Sequence, residues 1–229
     1  YTSDHILLAT GSRPRDIPVL PIDEKTIWSS TGALFQQNAP ASLAVVGAGA
    51  VGMEFADIYN AYGSKVTVIE ALERILPIED TDSSKVLQRS FQKRGVDFHT
   101  GATVKEAIIS PEGAKLIFED KSGNTHELDV EKVLSAVGRV PNTENLGLKE
   151  GGGEVSPAGV VIVDHHMRSS ISGVYAIGDC AGNQLLAHKA MHEGVVCVEV
   201  IAGESHASVD YENVPNCTYS VSYTHLRAH

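Results

Sequence analysis

Leu43-Ala44-Val45-Val46-Gly47-Ala48-Gly49-Ala50-Val51-Gly52 decides the fold. Four consecutive apolar residues fit a buried strand, and Gly47 to Gly52 is a tight glycine turn of the form GxGxxG. Val51, Phe55, Ile58, Tyr59 and Tyr62 then recur at helical spacing until Gly63 supplies a stop. A second apolar strand, Lys65-Val66-Thr67-Val68-Ile69, ends at Glu70. Strand, helix and strand of this length make the right-handed parallel crossover of a Rossmann half. In that setting the turn lets a pyrophosphate approach the backbone and offers it N–H groups at the positive end of a helix. An acid eighteen residues after Gly52, at a strand end, is placed to accept a hydrogen bond from a ribose 2′-OH. Glu70 therefore favours NAD over NADP, because a carboxylate repels a 2′-phosphate.

Outward from this unit the pattern alternates. A helix is predicted over Thr81–Arg94, stopped by Gly95, and a short strand over Val96–His99. Between Thr103 and Val130, short alternating runs (Val104–Ile109, Lys115–Phe118, Thr125–Leu128) are separated by the turn signals Pro111-Glu112-Gly113 and Lys121-Ser122-Gly123-Asn124. They predict an antiparallel meander inserted in the parallel sheet. Lys132–Val137 returns as a buried strand ending at Gly138, and a glycine-rich loop follows from Gly147 to Gly153. A second unit is predicted beyond it, with strands Val160–Val163 and Val174–Ile177, the latter closed by Gly178-Asp179. Leu185–Ile201 reads as a helix on the apolar residues Leu186, Ala190, Val195, Val198 and Ile201, and residues 204–229 are polar and weakly patterned. Upstream, His5–Gly11 reads as a short buried strand, so either later segments pair with it or the natural protein begins further upstream. Residues 13–41 hold four of the nine prolines and suit a connection between domains, with a boundary near residue 40. The expected class is α/β, with two Rossmann-like dinucleotide-binding units and an antiparallel β-meander in a three-layer sandwich.

Composition narrows the function. The 229 residues are 42% hydrophobic and 21% charged, with 29 acids against 18 lysines and arginines and a net charge of −11. Disorder and collagen are excluded, no run approaches the roughly 20 apolar residues of a membrane span, and an acidic chain is poorly suited to nucleic acid. Cys180, Cys197 and Cys217 are an odd set without a CxxC pair, which fits small core residues in a reducing setting rather than a disulfide framework. The ten histidines, His165-His166 and His188 among them, show no metal-site spacing, and no metal is expected. No GxSxG elbow or P-loop is present. Glu54, in the first turns of the glycine-capped helix, has two readings: complement to the helix dipole, or a carboxylate near the nicotinamide. Asp179 likewise reads as a solvated turn acid or as a ligand contact at the carboxyl end of a strand.

Five strings taken together resemble one family: Ala9-Thr10-Gly11-Ser12-Arg13-Pro14, Ser30-Thr31-Gly32-Ala33-Leu34, the GxGxxG turn with Glu54, Ala136-Val137-Gly138-Arg139, and Tyr175-Ala176-Ile177-Gly178-Asp179. They look like the flavin-dependent pyridine nucleotide-disulfide oxidoreductases. Within that family, Val68-Ile69-Glu70-Ala71-Leu72 with Arg74-Ile75-Leu76-Pro77, and Leu186-Ala187-His188-Lys189-Ala190, are most similar to the branch that oxidises dihydrolipoamide. The resemblance spans residues 1–220; Val221–His229 departs from the pattern, as a frame change would. It implies an NAD domain (39–146) set into an FAD domain (1–38 and 147–211), with an interface domain starting at 212.

Carried over by position, Thr10, Gly11 and Ser12 lie by the FAD, Asp179 bonds its ribityl chain, and Leu185, Leu186, Ala187 and His188 cover the flavin region. Gly47, Ala48, Gly49, Ala50, Val51, Gly52, Glu54, Glu70, Val104 and Gly138 hold NAD. Members also carry an upstream FAD glycine motif, a CxxxxC redox disulfide and a C-terminal His/Glu pair, none of which is in this sequence. The resemblance thus implies an internal portion without catalytic residues, inactive alone. Its parent would be a homodimer, cytoplasmic or in an organelle matrix or stroma, that takes electrons from the lipoyl-bearing protein of a 2-oxo acid dehydrogenase complex through FAD to NAD. The alternatives are another disulfide reductase of the family, such as a mercuric or glutathione reductase or a transhydrogenase, and a non-catalytic NAD-binding module.

Overall fold

A strand of consecutive apolar residues has to be covered on both faces. The computed structural model, which describes residues 2–204, 206 and 208–220, has such a strand at the centre of its main sheet. In chain order the strands are β1 (Ile6–Leu8), β2 (Ser12–Pro14), β3 (Ile27–Trp28), β4 (Ser42–Val46), β5 (Lys65–Glu70) and β6 (Asp97–Thr100). They continue as β7 (Thr103–Ser110), β8 (Gly113–Glu119), β9 (Thr125–Val130), β10 (Lys132–Ser135), β11 (Arg139–Pro141) and β12 (Val174–Ala176). The α-helices are α1 (Ser30–Leu34), α2 (Ala50–Ala61), α3 (Thr81–Lys93) and α4 (Ala187–Ile201). The described residues form two compact units, one from 2–13 with 139–216 and the other from 14–138 with 217–220.

The second unit has three layers. Its parallel sheet has the order β3-β10-β4-β5-β6, so the chain winds outward from β4 to β6 and then returns to the other side of β4. Alternate residues face opposite ways. Leu43, Val45, Val66, Val68 and Leu134 pack with Ala33, Met53, Phe55, Tyr59 and Phe91 of the helices. Ala44, Val46, Ile69 and Val133 pack instead with Ala114, Leu116, Phe118 and Val130 of the antiparallel meander β7-β8-β9. The meander therefore serves as the third layer, and the cross-strand pair Lys115–Glu127 at 2.8 Å lies on its half-exposed side.

Helix ends follow local chemistry. Asp80 caps α3 by accepting from the Asp82 and Ser83 N–H groups, and Lys93 lies in its last turn, close to the predicted 81–94. Arg94 follows it, pairs with Asp57 of α2 and lies over the Phe91 ring. The proline-rich stretch is more than a connection, since it supplies β3 and α1, and Ser29 caps the latter. The periodicity of α2 selected an only partly correct face: Phe55 and Tyr59 are buried, but Val51, Ile58 and Tyr62 are exposed while Met53 and Ala56 are not.

In the first unit, β12 supplies the partner that the opening strand requires, in parallel register from Ile6↔Val174 to Leu8↔Ala176. The expectation of a buried strand over His5–Gly11 is corrected on length and burial. Only Ile6–Leu8 is regular, and Ile6 is 50% exposed because Leu8 alone of the three packs into the cluster around Leu148, Val161 and Ala176. The expected strand Val160–Val163 is also corrected. Val161 and Val163 make single bridges to Val155 and Ser169, because the chain turns back at once: Asp164 Oδ1 accepts from the His166 and Arg168 N–H groups and Met167 has φ +64°. Cys180 and Cys197 are buried, burial pushing the Cys197 thiol up, whereas Cys217 is half-buried. Among the described residues no helix is long and apolar enough to cross a membrane, and no group of three His, Cys, Asp or Glu could hold a metal.

Candidate functional site

In the second unit, the glycine turn sits where the winding reverses, outside the carboxyl ends of β4 and β10, which is where open α/β sheets bind ligands. Gly47 has φ +101°, and a Cβ there would meet the Ala136 carbonyl oxygen at 2.4 Å. A Cβ on Gly52 would lie 1.9 Å from the Gly47 oxygen, so this glycine lets α2 pack onto the strand. Gly49 differs: a Cβ would meet nothing within 4 Å. It is the N-cap of α2 and has no side-chain cap, so the first N–H groups of the helix face an open approach. These features fit a pyrophosphate.

Glu70 closes β5 and is nearly buried. Its Oε2 accepts the Ala48 N–H at 2.6 Å and its Oε1 accepts the Leu72 N–H at 2.8 Å. The carboxylate therefore fixes the turn, while each oxygen keeps a lone pair for a further donor such as a ribose hydroxyl. Val104 is buried at the start of β7, beside the register shift between Val104 and Glu106, and the Gly138 carbonyl accepts the Arg15 N–H at 3.0 Å. Glu54 lies beyond the first turn of α2, which contains no acid, and this weakens the helix-dipole reading. Its Oε1 accepts the Tyr219 N–H at 2.9 Å.

The flavin-side candidates lie in the first unit. Ser12 donates to Asp179 Oδ2 at 2.5 Å, which leaves Oδ1 without a protein donor among the described residues. Arg139 holds Ser12 twice, from Nε to Oγ at 2.6 Å and from Nη2 to the carbonyl at 2.8 Å, and its Nε is 3.8 Å from Asp179 Oδ2. Asn142 reaches the Thr10 carbonyl at 3.0 Å from Nδ2 and the Gly11 carbonyl at 2.9 Å from its backbone N–H. A half-exposed carboxylate with one open oxygen fits a hydroxyl donor. Leu185, Ala187 and His188 are exposed and Leu186 is half-buried; His188 Nε2 lies 2.8 Å from the Pro215 oxygen.

Sequence reasoning gave no role to Arg139, Lys189, Glu193 or Tyr211. Arg139 was visible only as part of a string, and a Lys/Glu pair four apart on a helix ordinarily reads as a solvated pair. Beside the site, Arg13 grips Glu144 at 2.7 Å and holds its carboxyl down to about 2 from an ordinary 4.5. A lowered folded-state value means that the stabilisation is present above pH 4.5 and is lost as pH falls toward 2. Melting curves should therefore show a small gap between the parent chain and Glu144→Gln near neutrality. That gap should shrink with acid, and also with salt because both side chains are about half exposed.

The family model described as pyridine nucleotide-disulphide oxidoreductase matches residues 1–194. The chain belongs to that family. A dihydrolipoyl dehydrogenase of Rhizobium etli is 41% identical over 220 residues, 96% of this chain and 46% of that protein. A mitochondrial dihydrolipoyl dehydrogenase of Arabidopsis thaliana is 42% identical over 217 residues, 94% of this chain and 43% of that protein. The chain thus spans about half the length of the curated relatives it matches. Among solved structures, LpdA from Mycobacterium tuberculosis superposes with a TM-score of 0.87 at 32% identity, over 95% of this chain and 47% of that one. The flavoprotein disulfide reductase RclA from Escherichia coli gives 0.81 at 27% identity, over 96% of this chain and 49% of that one.

Proposed function

We propose that the chain is the NAD-binding unit and part of the FAD seat of a dihydrolipoyl dehydrogenase. The whole protein would oxidise dihydrolipoamide on the lipoyl-bearing protein of a 2-oxo acid dehydrogenase complex, as a homodimer in cytoplasm or organelle matrix. The compact units divide near residues 13 and 138, earlier than the boundaries at 38 and 146 that the resemblance implies, because β3 and α1 pack with the sheet that carries the glycine turn. The observation that carries the reading is the glycine turn at the winding reversal with the Glu70 carboxylate bonded to its Ala48 N–H. The chemistry that bound flavin and nicotinamide supply is two-electron transfer from a dithiol, delivered as hydride to NAD.

This chain's residues bind and orient. The N–H groups opening α2 take the pyrophosphate, Glu70 takes the ribose hydroxyls, and the Gly138 and Val104 backbone borders the nucleotide. Asp179 accepts a ribityl hydroxyl, and Leu185, Leu186, Ala187 and His188 keep water from the flavin. Fluorescence titration with NADH, NADPH and FAD tests the reading. NADH should bind at least about tenfold more tightly than NADPH, a difference of about 1.4 kcal/mol. FAD should bind, and dihydrolipoamide should not drive NAD reduction by this chain. Preference for NADPH would move the proposal to an NADP-using reductase of the family.

A further inference from the structure

Helix α4 turns two opposite charges inward. Lys189 and Glu193 are fully buried, although Val195 and Val198 of the same helix are exposed. All three protons of the Lys189 ammonium are placed, on the Gly178 carbonyl at 3.2 Å, the Gly182 carbonyl at 2.8 Å and Glu193 Oε2 at 3.1 Å. The same Oε2 accepts the Gly178 N–H at 2.7 Å, and Oε1 accepts the Tyr211 hydroxyl at 2.7 Å. Apart from Tyr211, every partner of the pair belongs to one segment, the 3-10 turn Gly178–Ala181 and the Gly182 that ends it.

We propose that the Lys189–Glu193 pair, tethered by Tyr211, is a positioning device that clamps the Gly178–Gly182 turn so that Asp179 is presented to the flavin. The proposal rests on the cofactor reading above. Stability does not account for the pair, because desolvating two charges costs about as much as their attraction returns, and apolar replacements are often neutral. What the pair adds is a fixed geometry. Gly178 is held by both its N–H and its carbonyl and Gly182 by its carbonyl, so the two ends of the turn are fixed from the helix side. Ser12 holds the Asp179 carboxylate from the other side. Both end glycines have left-handed backbones, φ +71° and +78°, and would otherwise leave the turn many conformations. Tyr211 is the outer tether, and burial followed by its bond to Glu193 pushes its hydroxyl pKa up, which keeps it a donor.

The test uses Lys189→Met, Glu193→Gln and Tyr211→Phe in the full chain, with three readouts: amide exchange over residues 178–182 and over α4, FAD affinity, and NADH affinity as a control in the other unit. Lys189→Met and Glu193→Gln should raise exchange in the turn at least tenfold more than in α4. They should weaken FAD binding at least tenfold and leave NADH binding within twofold. Tyr211→Phe, which removes one oxygen outside the turn, should do the same by a smaller factor and decides the question if the buried variants do not fold. Equal rises in exchange across turn and helix, or unchanged exchange and flavin affinity in a folded variant, overturns the proposal. If the parent chain takes up no FAD, the exchange pattern alone decides the positioning claim, and the NADH and NADPH titrations decide the cofactor reading.

Discussion

Replacing Gly49 by valine should remove NADH binding and leave the chain folded. The backbone at Gly49, φ −72° and ψ −177°, is extended and open to any residue, and its Cβ direction is empty to 4 Å. The fold therefore loses only the preference for glycine over valine at a helix N-cap, on the order of 1 kcal/mol. The side chain, however, would fill the empty space in front of the N–H groups of α2, through which a pyrophosphate would reach them on the proposed reading. A hundredfold loss of NADH affinity, about 2.7 kcal/mol, is the minimum expected in a fluorescence titration. Gly47→Ala and Gly52→Ala should behave in the opposite way. Their added methyl groups would sit 2.4 Å and 1.9 Å from backbone oxygens, and Gly47 adds the penalty of a positive φ. Each should lose about 3 kcal/mol or more of stability, read by denaturant melts, whether or not cofactor is present. If Gly49→Val binds NADH as the parent does, the turn is not a pyrophosphate cradle.

The difference between these glycines also explains what was legible in the chain. Periodicity located the parallel strands other than β3, the meander and three of the helices, because each buries a face and so carries a repeating apolar pattern; β3 and α1, only two and five residues long, were hidden in the proline-rich stretch read as a connection. The run Leu43–Val46 announced two covered faces, and the structure covers one with helices and one with the meander. Val160–Val163 has the composition of a strand but not its pairing, since Asp164 and Met167 turn the chain after a single bridge on each side. In α4 the apolar residues that marked the helix include two of its exposed positions, while its buried face carries Lys189 and Glu193. A helical pattern cannot report that inversion, because the partners that make burial of charge acceptable, Gly178, Gly182 and Tyr211, are distant in the chain or are backbone groups. The Ser12–Asp179–Arg139 network was hidden for the same reason, its members standing far apart in sequence.

Glu70 should prove to be both a staple of the turn and the selector of cofactor, and two substitutions separate the roles. Glu70→Ala leaves the Ala48 and Leu72 N–H groups without their acceptor, at a cost of about 1–3 kcal/mol for the donor of the fully buried Ala48 and less at the exposed Leu72, where water can replace the carboxylate. Both nucleotides should then bind poorly, because the turn itself is no longer fixed. Glu70→Gln keeps the shape and one acceptor oxygen, but its amide NH2 confronts the second backbone donor, so one bond is lost and the negative charge disappears. NADH affinity should fall about tenfold while the penalty against NADPH shrinks, and the ratio of the two dissociation constants should drop at least about tenfold. Thermal melts taken alongside the titrations distinguish the cases, since the glutamine variant should lose less stability than the alanine one. A glutamine variant that keeps the parent's full preference for NADH would reduce Glu70 to a purely structural residue. Discrimination would then have to come from elsewhere around the ribose, and the carboxylate would be explained by its two backbone bonds alone.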